Sequence, residues 1–150
     1  MEEEIKLKKE HLEKYITKQL EGFKKRSVYN RSASIRQHGL VTLLGAAITI
    51  LSGLDIELIA EHTRIVVLIL GAAVTVIGAY KTFFNNKDLW IKNTMISNKL
   101  LKVKNDYEFF IAGKEFENIK IEDLEKYKIE VDNILKEANK LWEIARQNNN

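Results

Sequence analysis

The side chains equipped for chemistry in this chain are hydroxyls and one imidazole, set at helical spacing in apolar surroundings. His38, Thr42, Gly45, Thr49 and Ser52 are spaced 4, 3, 4 and 3 residues apart, and Gly71, Thr75, Gly78 and Thr82 are spaced 4, 3 and 4. Each set therefore lies along one side of a helix. Both overlap a repeated phrase, LLGAAITILSG at Leu43–Gly53 and ILGAAVTVIGA at Ile69–Ala79, offset by 26 residues. Gly and Ala let helix backbones approach closely, and hydroxyls supply hydrogen bonds in surroundings that offer few others. Two uses follow. The stripes fasten the two helices to each other or to a neighbouring copy, or Thr42, Thr49, Ser52 and Thr75 line a water path once several copies assemble. His38, at the head of the first stripe, is the candidate gate, with a plain packing role as the alternative.

Bond-making chemistry finds no support. His11, His38 and His62 are far apart in the sequence, and Cys is absent, which rules out thiolate nucleophiles, disulfides and Cys-based zinc sites. There is no P-loop, dinucleotide fingerprint or nucleophile elbow. The expectation is a protein that is not an enzyme and has no cofactor or metal. The net charge of +3 is too small to argue for nucleic acid. The cluster Lys24, Lys25, Arg26, Arg31 and Arg36 is instead expected to meet anionic lipid headgroups.

The elements that must carry these residues are helices. Pro is absent, and five of the seven Gly lie in or beside the repeated phrases, so little interrupts a long helix. Apolar residues make up 45% and charged residues 30%, but the two kinds are segregated. Gly39–Leu54 has sixteen residues without a charge, and Ile65–Phe84 has twenty interrupted only by Lys81. Twenty helical residues cover about 30 Å, the hydrocarbon thickness of a bilayer. A domain this small could hardly bury two helices that are apolar on nearly every side, so a membrane hairpin is expected rather than a buried one. The basic cluster precedes the first span, and Lys81, Lys87, Lys92, Lys99, Lys102 and Lys104 follow the second against one acid, Asp88. The connecting Asp55–Arg64 segment is acidic, with Asp55, Glu57 and Glu61 against Arg64. Basic flanks stay inside, so both termini are expected in the cytoplasm and the acidic loop outside, in a multi-pass protein of the cell inner membrane.

Outside the spans, apolar residues keep helical rhythm. They include Ile5, Leu12, Tyr15, Gln19 or Leu20, and Phe23 near the N-terminus, then Ile96, Leu100, Val103, Tyr107 and Phe110, with Gly113 placed to end that helix. Leu124, Tyr127, Val131, Ile134, Ala138, Leu141 and Ala145 form a heptad seam. The expected fold class is all-α: a two-helix transmembrane hairpin with long amphipathic cytoplasmic helices that form a small bundle or a coiled coil between chains. One domain, 1–150, divides into a cytoplasmic helix and basic segment (1–37), the hairpin (38–84) and C-terminal cytoplasmic helices (85–150).

The order of elements resembles the SLATT family, two-transmembrane domains associated with nucleotidyltransferases and sensors in bacterial conflict systems. The resemblance runs from about Leu12 to Arg146 and rests on a basic N-terminal helix, two close spans, LWIKNTMISNKLLKVKNDYEFFIAG with Trp90, Leu100, Leu101 and Tyr107, and a last helix ending near LWEIAR. It implies an effector that oligomerises into a membrane-disrupting pore in nucleotide-signalling or anti-phage defence, triggered by a separate sensor protein. It carries no catalytic residues to transfer. The alternative is a non-conducting membrane scaffold that presents a helical bundle to a partner.

Overall fold

The computed structural model describes residues 2–53, 60–114 and 118–147. Every element among them is helical: α1 (Glu2–Gly53), α2 (Ala60–Phe84), α3 (Asn86–Ala112) and α4 (Ile121–Gln147). The expected outer loop with Asp55 and Glu57, part of the connection before α4 and the last three residues lie outside the described residues, and for Ala145 only the helical backbone is described. The N-terminal helix, the basic segment and the first apolar stretch form one uninterrupted helix of 52 residues. No Pro stands between them, and Gly22 and Gly39 are tolerated within a run of good helix formers.

The chain divides into two compact units, Met1–Val28 with Leu89–Asn150, and Tyr29–Asp88. The first unit owns the apolar core. Leu12, Ile16, Leu20 and Phe23 of α1 share it with Ile96, Leu100, Val103 and Tyr107 of α3, and with Ile119 and Leu124, Val131, Ile134 and Ala138 of α4. Tyr127 and Leu141 pack against it as the heptad seam requires. On α1 the core stripe is Leu12, Ile16, Leu20 and Phe23, and the expected Ile5 and Tyr15 pack against its edge. Tyr15 is half-buried and its hydroxyl donates to Asp132 Oδ1 at 2.9 Å, while Ile16 is 1% exposed. A phenol is placed at the edge of a core, where its O–H finds an acceptor, and an aliphatic chain fills the centre.

Polar contacts frame this core. Lys99 reaches Glu137 at 2.6 Å, Lys114 reaches Asp123 at 3.1 Å, and Lys128 reaches Asp132 at 2.9 Å. Tyr127 stands edge-on to Tyr107, ring centroids 5.4 Å apart, and beside Phe110 at 5.6 Å. Burial raises the Tyr107 phenol well above its ordinary value, with Glu13 adding to the effect. The carboxyl of Asp132 is held below its ordinary range by hydrogen bonds from Lys128 and Tyr15.

α3 ends at Ala112, directly before Gly113, where the sequence places its end. Gly113 donates its N–H to Phe109 O at 3.2 Å, yet no described glycine has positive φ, and a Cβ there would make only ordinary contacts. The left-handed residue is Asn85, φ 37°, the single residue separating α2 from α3. Asn tolerates this region because its short polar side chain bonds locally. Here it caps α3: its Oδ1 accepts from Asp88 N at 3.4 Å and its Nδ2 donates to Asp88 Oδ2 at 2.6 Å.

Candidate functional site

The second unit carries the apolar stripes. Within Glu3–Ser52 and Glu61–Ala112 lie 18-residue windows long and apolar enough to cross a membrane, and only 6% and 0% of their residues are buried. Leu43, Ile50, Leu68, Ile69 and Val76 are each more than 60% exposed. Buried core helices of soluble proteins have the opposite profile.

The hydroxyls of the repeated phrase bond back to their own helices. Thr49 Oγ1 donates to Gly45 O at 3.0 Å, and Thr75 Oγ1 to Gly71 O at 3.0 Å. The pattern recurs two turns further on, from Thr82 to Gly78 O at 3.1 Å, and at the head of the first stripe, from Thr42 to His38 O at 2.9 Å. The phrase Gly-x-x-x-Thr is thus a local unit. A glycine leaves its carbonyl uncovered by a side chain, and the Thr one turn later uses it as an acceptor, so the hydroxyl proton is satisfied in apolar surroundings without a second helix. Ser52 is exposed.

Gly45, Gly71 and Gly78 leave open space on their helices. A Cβ built on any of them meets no atom within 4 Å outside the neighbouring backbone of its own helix. The glycine stripes are therefore not in close backbone contact with another part of the described chain. His38 and Lys81 are brought together across α1 and α2, Lys81 Nζ lying 3.4 Å from His38 Nδ1. An ammonium can only donate, so this contact suits an imidazole with an unprotonated Nδ1. Tyr80, Phe83 and Phe84 cluster next to Lys81, with Tyr80 and Phe84 centroids 4.2 Å apart. Aromatic rings beside a basic residue are the usual furnishing of a membrane–water boundary.

The basic residues Lys24, Lys25, Arg26, Arg31 and Arg36 are all exposed on α1. Arg26 stacks its guanidinium over the Phe23 ring at 4.3 Å, while Val28 and Tyr29 are 65% and 66% exposed in the middle of the cluster. No group of three potential metal ligands occurs among the described residues.

Buried polar residues in each of the two units escaped the sequence reading. Asn93 and Ser97 of α3 are 1% and 6% exposed, and Asn30 and Ser34 of α1 are 7% and 6% exposed. Ser27 Oγ lies 2.7 Å from Thr94 Oγ1. The amide of Asn93 has no hydrogen-bond partner on either polar atom. In the first unit the signal lay in the rhythm of α1, where the core residue Phe23 is followed four residues on by Ser27. Comparison with protein-family models, curated proteins and solved structures finds no match to this chain.

Proposed function

We propose that the chain is an inner-membrane effector whose copies assemble through the Gly-x-x-x-Thr stripes into a pore that breaches the membrane in bacterial defence. The observation that carries this reading is the near absence of buried residues from both apolar windows, 6% and 0%, on helices whose glycine stripes remain open. Apolar surface of this extent suits lipid or a packed partner helix. Intrahelical satisfaction of the Thr hydroxyls removes a main obstacle to insertion, and each oxygen keeps lone pairs that can accept from water or a neighbouring helix. Both termini lie in the cytoplasm on this reading, with the exposed basic residues of α1 against anionic headgroups. The resemblance to SLATT domains supports the defence role and a separate sensor as partner.

A second reading, a non-conducting scaffold, is favoured by one observation. The core of the first unit is closed within a single chain, so its helices do not depend on another copy to bury their apolar faces. Expression of the chain with a potential-sensitive dye divides the two. Depolarisation that disappears in the double variant Gly45→Leu, Gly71→Leu supports the pore. A steady potential in cells with confirmed membrane-inserted protein supports the scaffold and ends the pore reading.

A further inference from the structure

The core of the first unit is unevenly built along α3. At its C-terminal end Tyr107 is buried, ringed by Tyr127 and Phe110, and Lys114 both pairs with Asp123 and covers the Phe110 ring at 4.2 Å. Leu100 and Val103 are 0% and 2% exposed. Towards the N-terminal end Ile96, 1% exposed, shares the inner face with Ser97 and Asn93, and the α1 side carries Ser27. Asn93 is enclosed with both amide atoms unpaired. A leucine has the same branching and would fill such a position without an orphaned donor and acceptor, so this part of the core is held less firmly than an apolar one would be. Two turns upstream lies Asn85, the one non-helical residue between α2 and α3, already in the left-handed region.

We propose that the first turns of α3, from the pivot at Asn85 through Asn93 to Ser97, form a release segment that detaches from α1 while the rest of the core stays packed. Detachment solvates the Asn93 amide and gives up the Ser27–Thr94 hydroxyl bond together with the packing of Ile96. The proposal deepens the effector reading, because α3 follows α2 through a single residue and its release would couple the cytoplasmic core to the apolar helix.

The test is hydrogen exchange on the full chain in lipid nanodiscs. In the wild type, amides of residues 89–97 should exchange at least about tenfold faster than those of 100–107, and Asn93→Leu should slow the first group about tenfold while leaving the second unchanged. Equal exchange along α3 in the wild type overturns the proposal. So does Asn93→Leu that leaves residues 89–97 unchanged or speeds them, the latter being the mark of a buried water that normally satisfies the amide. A second variant does not depend on repacking the core. The chain has no Cys, so Ser27→Cys with Thr94→Cys places the only thiols at the hydroxyl contact. Oxidation to the disulfide should slow exchange at 89–97 and reduction should restore it. An oxidised form that exchanges like the reduced one sinks the release segment. These readouts stand whether or not the protein conducts, so failure of the pore and failure of the release segment are told apart.

Discussion

Hydroxyl placement explains how a chain can carry four Thr in or beside apolar stretches without a partner for each. Because Thr49 and Thr75 donate to carbonyls of their own helices, Thr49→Val and Thr75→Val should leave helicity and membrane insertion intact, with stability changing by less than about 1 kcal/mol. Circular dichroism and carbonate extraction of membranes check this. Any loss of ion flux in those variants would then report on the stripe as a lining and not on folding. Acid sensitivity belongs to the other unit. Asp132 is held below its ordinary value of 3.8 by Lys128 and Tyr15, so its contribution to folding is present in full above that value. It is lost as pH falls through the lower folded-state value. Tyr15→Phe removes one of the two bonds, at a cost of about 1 kcal/mol near neutrality. The gap to wild type should narrow in strong acid, as read by denaturant melts of the detergent-solubilised protein at pH 7 and pH 3.

Helices divide into those whose faces are settled by neighbours and those whose faces are open. Leu100 is 0% exposed and its neighbour Leu101 is 36% exposed. Leu100→Ala should therefore cost about 2–5 kcal/mol, whereas Leu101→Ala should cost well under half as much. Thermal melts of the pair measure the difference. The break between α2 and α3 depends on Asn85, whose side chain both tolerates φ 37° and caps α3 through Asp88. Asn85→Ala loses the cap and the local polar bonding by which Asn tolerates the left-handed region, a combined destabilisation of about 1–3 kcal/mol. Asn85→Gly keeps the backbone freedom and should recover most of that loss. Gly113 makes the contrast. Its φ is not positive, so Gly113→Ala should be close to neutral.

For the molecule as a whole, the effector and scaffold readings share one topology, and the absence of Cys makes it simple to read. His62→Cys, exposed near the start of α2, should react with a membrane-impermeant maleimide in intact spheroplasts. Lys140→Cys, exposed on α4, should react only after lysis. Labelling of both in intact spheroplasts, or of neither before lysis, would reject the hairpin with its termini inside.

Much of this protein was legible in its residues taken in order. Absence of Pro, two uncharged stretches and heptad rhythms specify helices, because these signals act within a few turns of the chain itself. The spacing of the Gly-x-x-x-Thr units was legible as well, but only the structure shows their hydroxyls donating within one helix and not between helices. What the tertiary structure alone decided is which side of each helix counts as inside. Ile16 in place of Tyr15 at the centre of the core, the burial of Asn93 and Ser97, and the meeting of His38 with Lys81 all depend on surfaces contributed by distant segments. A polar residue on a mixed helix face has no local mark of burial, because desolvation is set by what packs over it and not by its neighbours in sequence.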